Sequence, residues 1–332
     1  MKIKIMINKE AKLNPNLFDE SQLERLPTRD GFGHGLVEAG KRDERVVALT
    51  ADLAESTRAE WFQKEFPERF VDVGVAEQNL ATVASGMANV GKIPFITSYA
   101  TFSPGRNWEQ IRTTICINDV PVKVIGNHAG LTVGPDGGTH QALEDIALMR
   151  ALPNMTVVVP ADSHQAYQAT LAIAQTDKPA YLRLGREKMP VFTTSETPFV
   201  LGKAQVLYEQ AGAKVGIIAC GSLVYEALLA AEELREKNIP VSVLNLHTIK
   251  PLDGEGILEF VQDLDLVVTA EEHQVAAGMG SAVVELLVQN NPKKVVFVGI
   301  HDRFGESGDP VELLHAFGLD KNGIIKAIEE NL

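Results

Sequence analysis

The residues whose types and spacing best suit chemistry lie in GNHAGLTVGPDGGTHQ, residues 126–141, where His128, Asp136 and His140 stand among five glycines. Two histidines and an acid suit proton transfer and hydrogen bonding to hydroxyls or phosphate. The same run also reads as a surface loop in which PDGG makes a tight turn. Structural zinc is excluded, because twelve positions separate the histidines, no cysteine is near, and such a site needs four ligands at known spacings. No metal site is expected from this chain's own residues.

A second candidate is Glu77, in RFVDVGVAEQNLATVASGMANVG, residues 69–91. It stands where an apolar strand pattern ends and an alanine-rich helical pattern begins, with apolar residues on both sides and no basic residue close by in the sequence. An acid in the first turn of a helix is favoured by the macrodipole, so a merely stabilising role stands beside a catalytic one. Two glycine-rich runs fall short of a dinucleotide site: GFGHGL (31–36) follows no strand pattern, and GMGSAV (278–283) lacks the third glycine of the fingerprint. Neither a P-loop nor a GxSxG elbow occurs.

The elements that must position these residues follow from periodicity. Strands expected at 45–53, 69–75, 92–102, 120–127, 155–160 and 180–185 alternate with helices expected at 31–42, 77–90, 108–118, 141–151 and 163–176. Strict interleaving implies right-handed crossovers and a parallel sheet covered on both faces, with ligands beyond the carboxyl ends of its strands. TADLAEST (50–57), GVAEQN (74–79), SYATFSPGRNW (98–108) and the glycine-rich run all follow such strands. After a stretch at 185–203 that reads as a linker, the alternation resumes with strands at 213–221, 240–247, 264–272 and 294–300 and helices at 222–237, 280–290, 310–317 and 321–330. The expected fold class is α/β, with two doubly wound domains and mainly parallel sheets over 28–195 and 196–332, preceded by an extension at 1–27.

Composition sets limits on partners. Thirty-one Lys and Arg against 44 Asp and Glu give a net charge of −13, which argues against nucleic acid or an anionic membrane and leaves room for a small anion held by local basic residues. Cys116 and Cys220 lie in apolar segments and read as reduced core residues of a cytoplasmic protein. No apolar run is long enough to span a bilayer, and the MKIKIMINKE start lacks the long apolar centre of a signal peptide.

GVAEQNLATVASGMA, TFSPGRNWEQIR, HAGLTVGPDGGTHQALEDIALMRALPNMTVVVPAD and IKPLD occur in that order. Through them, from about Thr28 to the end, the chain resembles the C-terminal half of transketolases, the thiamine-diphosphate enzymes that move two-carbon ketol units between sugar phosphates. In that family a separate N-terminal domain holds the diphosphate and its Mg²⁺ with a GDG run followed by an Asn pair. Here the one GD is Gly308 with Asp309. The resemblance therefore implies one subunit of a split transketolase, carrying the pyrimidine-binding and C-terminal domains and active with an N-terminal transketolase subunit that supplies the Mg²⁺ ligands. It also implies a cytoplasmic role in the pentose phosphate pathway.

The resemblance assigns roles position by position. Glu77 would hydrogen-bond N1′ of the aminopyrimidine ring in its protonated form, kept so by an apolar setting without a nearby cation. Phe102, with Tyr99 as the second choice, would stack on that ring, and Asp52 would lie near the thiazolium. Arg29, Ser56, His128 and Arg186 would grip the substrate phosphate. Asp136 would bond a hydroxyl next to the reacting carbon, and His140 would bind the donor's ketol oxygens and assist proton transfer. Glu77, His140 and His128 form the implied catalytic set. A cofactor site shared between protomers implies a heterotetramer with two copies of each chain, and homodimers for this chain alone.

Two other readings stand beside this one. The first is a subunit of a related thiamine enzyme, either 1-deoxyxylulose-5-phosphate synthase-like or a 2-oxoacid dehydrogenase β subunit. His128 before AG, where the synthase typically has Arg, and the retained DGGTH run count against these. The second is a non-catalytic regulatory subunit, which the joint presence of Glu77, His128, Asp136 and His140 disfavours.

Overall fold

A computed structural model describes residues 7–332, so the part of the expected extension at 1–6 lies outside the described residues. The first half runs β1 (Arg25–Leu26), α1 (Thr28–Arg42), β2 (Val46–Thr50), α2 (Ala59–Glu65), β3 (Phe70–Asp72), α3 (Glu77–Asn89), β4 (Ile93–Tyr99), α4 (Trp108–Gln110), β5 (Lys123–Asn127), α5 (Asp145–Arg150), β6 (Thr156–Val158), α6 (Ser163–Ala174), β7 (Ala180–Arg183) and β8 (Met189–Pro190). The second half runs β9 (Gln205–Tyr208), β10 (Val215–Ala219), α7 (Leu223–Glu236), β11 (Val241–Asn245), β12 (Thr248–Lys250), α8 (Gly254–Phe260), β13 (Leu266–Gln274), α9 (Met279–Asn290), β14 (Lys294–Ile300), α10 (Pro310–Ala316) and α11 (Lys321–Glu329).

Three sheets result: two large ones, ordered β12-β6-β7-β5-β4-β2-β3 and β14-β13-β10-β11-β9, and a two-stranded β1-β8 pair. Central strands such as VVALT in β2 are buried at every position, as a strand covered by helices on both faces must be. Pairing within the two large sheets is parallel except where β12 meets β6 and β9 meets β11, and the small β1-β8 pair is antiparallel. The two α/β domains are therefore as expected, each with an antiparallel edge strand that periodicity did not indicate. The helix expected over 108–118 is α4 followed by a π turn at Ile111–Cys116. The one expected over 141–151 begins only at Asp145, because Ala142 is first used in a bridge to Ala129.

The stretch at 185–203 is packed rather than a free linker. Asp162 Oδ2 accepts the Phe192 and Thr193 amides at 3.0 and 2.8 Å, and Phe192 is fully buried. The two halves also interlock. β12 comes from the second half yet edges the first sheet, while Leu13 and Leu17 from the extension sit in the core of the second domain. Tyr225 Oη fixes that strap by donating to Leu17 O at 2.9 Å. The GFGHGL run has a packing explanation: a Cβ at Gly31 would lie 1.8 Å from Ser163 O on α6, so only glycine permits this approach of α1 and α6.

One buried carboxylate ties the second domain to the glycine-rich run of the first. Glu272, at the end of β13, is 5% exposed. Its Oε1 accepts the Thr132 amide at 2.8 Å, and its Oε2 accepts the Ser222 hydroxyl at 3.0 Å. Gly130, at φ 89°, makes room for it, since a Cβ there would lie 2.3 Å from Oε1.

Removing that carboxylate with Glu272→Ala should speed amide exchange at Thr132 roughly ten- to a hundredfold, the size of a lost hydrogen bond to a charged acceptor. Hydrogen-exchange mass spectrometry of peptides spanning 130–136 checks it. A second expectation concerns His247, buried against Phe199 with ring centroids 4.3 Å apart and pushed down by burial to about 4. The unfolded imidazole takes up a proton near pH 6.5 and the folded one only near pH 4, so this contribution is intact above that window and is lost as pH falls through it. Urea midpoints measured from pH 7 to 4 should decline in the native chain and decline less in His247→Gln.

Candidate active site

The carboxyl ends of β2, β3, β4 and β5 lie side by side, with Thr50 opposite both Thr97 and Asp72, and Tyr99 opposite Asn127. Four rings form one wall on the segments that leave β4 and β5. Tyr99 stacks on His128 with centroids 3.9 Å apart and lies 6.2 Å from Phe102, while Phe102 meets His140 edge-on at 5.4 Å. Thr101 Oγ1 donates to the His140 carbonyl at 2.9 Å, which joins the two segments. His140 is half-buried, and its Nδ1 lies 2.9 Å from Thr139 Oγ1.

His128 is 1% exposed and takes a left-handed backbone at φ 54°, a conformation that stores strain and recurs at functional sites. Its Nε2 lies 3.3 Å from Arg29 Nη1. A guanidinium only donates, so Nε2 accepts and the ring proton sits on Nδ1. That Nδ1 is buried and finds no partner among the described residues. Burial, then the Arg29, Arg186 and Arg58 charges, push His128 down to about 3, so the ring is neutral.

Arg29 is half-buried and donates from Nη1 to the Ser56 carbonyl at 2.9 Å, while its buried Nε finds no partner among the described residues. Burial, then Arg58, lowers its pKa. Ser56 thus enters through its backbone oxygen, which orients Arg29. Arg186 donates to Val133 O at 2.8 Å and lies 3.7 Å from Asp136 Oδ1 at the exposed rim. Arg58, which the sequence did not single out, pairs with Asp30 at 2.7 Å. Asp52 also has a left-handed backbone, φ 61°, and its amide donates to Asp72 Oδ1 at 3.0 Å. Buried donors without acceptors beside converging guanidinium groups suit a dianion such as phosphate.

Glu77 opens α3 and is 2% exposed. The expectation of a carboxyl without a nearby cation is corrected here: Arg106 Nη1 lies 3.2 Å from Glu77 Oε2. The loop after Phe102 folds back over the start of α3, where Asn107 Nδ2 donates to the Glu77 carbonyl at 2.9 Å, and so carries Arg106 to the carboxyl across 29 residues of chain. The Arg106 guanidinium also lies 5.4 Å from the Phe102 ring centroid. Arg106 falls within SYATFSPGRNW, yet nothing in its spacing pairs it with Glu77.

The other glycine-rich run has a structural use. Met279 and Gly280 amides, at the N-terminus of α9, donate to Glu271 at 2.6 and 2.9 Å, so the chain's own carboxylate fills that position. Cys116 and Cys220 are both buried and free. Among the described residues no group of three or more His, Cys, Asp or Glu side chains is placed to hold a metal ion, and no helix is long and apolar enough to cross a membrane.

Comparison with known proteins places this arrangement. The family model described as transketolase, pyrimidine binding domain matches residues 24–191, and that described as transketolase, C-terminal domain matches residues 202–324. A protein of Methanocaldococcus jannaschii named as a transketolase C-terminal section is 43% identical, over 92% of this chain and 96% of its own length. A 6-deoxy-6-sulfo-D-fructose transketolase subunit of a Clostridium species is 41% identical, over 94% of this chain and 96% of its own length. A solved chain described as a split gene transketolase, inactive beta4 tetramer, is 43% identical with a TM-score of 0.85, covering 92% of this chain and 98% of that one. With both halves matched in order, and with relatives of this identity along nearly its whole length, the chain belongs to the transketolase family, of which it carries the pyrimidine-binding and C-terminal domains.

Proposed function

We propose that this chain is the C-terminal subunit of a split transketolase, which transfers a two-carbon ketol unit from a ketose phosphate to an aldose phosphate in the cytoplasm, within pentose phosphate metabolism. The observation that carries this reading is the ring wall itself. Arg106 links the buried Glu77 carboxyl to Phe102 in that wall, and the unmet donors of His128 and Arg29 lie on the side of Tyr99. Relatives of nearly the same length that are named as transketolase sections or subunits support a chain that works as a separate subunit.

The residues present fit an aminopyrimidine, because a buried carboxyl and an aromatic face have one flat hydrogen-bond donor between them. Thiamine diphosphate, when bound, supplies the nucleophilic carbon that takes up the ketol unit. Glu77 would hold a proton toward N1′ of the pyrimidine, and Phe102 would stack on its face, with Tyr99 behind it. Asp52, at the end of β2, would lie toward the thiazolium. The Mg²⁺ and the diphosphate are assigned to the N-terminal subunit, since this chain has no GDG run followed by an Asn pair.

Substrate binding follows from the cations. Arg29, Arg186 and the Nδ1–H of neutral His128 would grip the sugar phosphate, with Ser56 O holding Arg29 in place. Each such charge-assisted bond is worth about 1.5–3 kcal/mol. Asp136 would accept from a sugar hydroxyl at the rim, and His140 would bond the ketol oxygens and move a proton there. The same arrangement explains how an acidic chain takes an anionic substrate.

Dependence on a partner is part of the proposal. The description of a solved relative as an inactive beta4 tetramer supports homo-oligomers for this chain alone and activity only in a mixed complex. Co-expression with an N-terminal transketolase half from the same source tests it. The purified chain alone should show no ketol transfer with thiamine diphosphate and Mg²⁺, and the complex should be active with the light-scattering mass of two copies of each chain. Turnover by the rigorously purified chain alone would sink the split-subunit reading.

Within that complex, Glu77→Gln should leave the unfolding midpoint in place and lower kcat roughly a hundredfold or more, as expected when a proton-transfer group is removed. Near-normal turnover in a complex that still binds cofactor would return Glu77 to the role of a helix-start acid.

A further inference from the structure

We infer that the Arg106 side chain is a resident occupant of the aminopyrimidine position, and that the cofactor ring must displace it to reach Glu77. This rests on the functional reading above. The guanidinium is flat, as an aminopyrimidine is. It donates to Glu77 Oε2 at 3.2 Å and lies 5.4 Å from the Phe102 ring centroid, so it meets the two groups assigned to the pyrimidine. A carboxyl oxygen that accepts from Arg106 is not free to hold a proton toward N1′. The pyrimidine ring must therefore compete with Arg106 for this oxygen.

The local structure lets the side chain leave without disturbing its loop. Arg106 is 54% exposed at its side chain, whereas Glu77 is 3% exposed. The backbone around it is fixed: the Arg106 amide donates to Phe102 O at 2.8 Å, and the buried Asn107 amide group donates to Glu77 O and to Ser103 Oγ at 2.9 and 3.1 Å. Rotation about the Arg106 side-chain bonds opens the position, and the helix start and the ring wall stay as they are. The contact also has a use before assembly, because a buried carboxylate without a partner would weaken the start of α3. Binding of the cofactor then exchanges one flat donor for another at the same carboxyl. The half-exposed ion pair and the cation–π contact set the scale of the competition at roughly three- to tenfold in affinity.

The test uses two probes and readouts other than turnover. The first is calorimetric titration of the isolated full chain with the pyrimidine half of the cofactor, as its free hydroxymethyl compound. The second is the thiamine diphosphate Kd of the complex with the N-terminal subunit, read by fluorescence quenching in the presence of Mg²⁺. Arg106→Ala should tighten both by roughly three- to tenfold, and Arg106→Lys, which keeps the charge but loses the planar guanidinium, should fall between it and the native chain. Adding Glu77→Gln to Arg106→Ala should abolish the gain. Affinity that is unchanged or weaker in Arg106→Ala, in a chain with a native unfolding midpoint, would overturn the inference and leave the functional reading standing. A native complex that binds no thiamine diphosphate would overturn the functional reading and this inference with it.

Discussion

Arg183 carries its charge where there is almost no water, and its hydrogen bonds decide how the rest of the molecule meets. It ends β7, is 7% exposed, and donates from Nε to Asp145 Oδ2 at 2.9 Å and from Nη2 to the Ala142 and Glu272 carbonyls at 3.3 and 2.8 Å. Burial works against its charge, but Asp145 and Glu272 hold it in place and charged. Tyr181 adds a hydroxyl to Asp145 at 2.7 Å. The start of α5, the end of the glycine-rich run and the end of β13 therefore converge on one guanidinium. Removing one member of a buried pair of this kind costs about 3–5 kcal/mol, so the geometry of the site loop and of the two domains stands or falls together.

That constraint gives the second domain a task at the site although it supplies none of the site residues. Glu272 reaches from β13 to the Thr132 amide, and the segment so held runs between His128 and Asp136. Such fixed geometry is what the proposed roles of the two histidines and the acid on that loop require, because catalytic and binding groups lose effect when misplaced by about an ångström. The interlocking segments serve the same end. β12 and the strap over residues 7–23 cross between the domains, which makes their arrangement a property of the core rather than of a hinge.

The electrostatics separate global charge from local chemistry. A net charge of −13 spreads over the surface and is screened within about 10 Å of solvent. Burial depresses the pKa of the His128 imidazole, and the charges of Arg29, Arg186 and Arg58 nearby add to that effect. Donors such as Arg29 Nε and His128 Nδ1 are buried without partners among the described residues, an arrangement that suits an anion because fixed donors in a place of low dielectric need no reorganisation to meet one. Glu77 is buried as well, and Arg106 is the group that answers its carboxyl, at 3.2 Å.

Much of this was legible in the sequence. Apolar runs of period two and helical stretches between them set the α/β class, the approximate extent of most strands and helices, and the strand ends at which the candidate residues gather, because side-chain direction repeats locally in strands and helices. Glu77, His128, Asp136 and His140 could be picked out because each follows a strand that a parallel sheet must bury. Tertiary structure decided the rest. β9, β12 and the strap over 7–23 are too short or too irregular to show a period, and take their form only from the sheet or core they join. The Arg106–Glu77 pair, the tautomer of His128 and the reach of Glu272 to Thr132 depend on groups 29, 99 and 140 residues apart in the chain. Local pattern specifies which face of an element is apolar. It does not specify which distant polar group fills a given buried position, and that choice belongs to the packed chain.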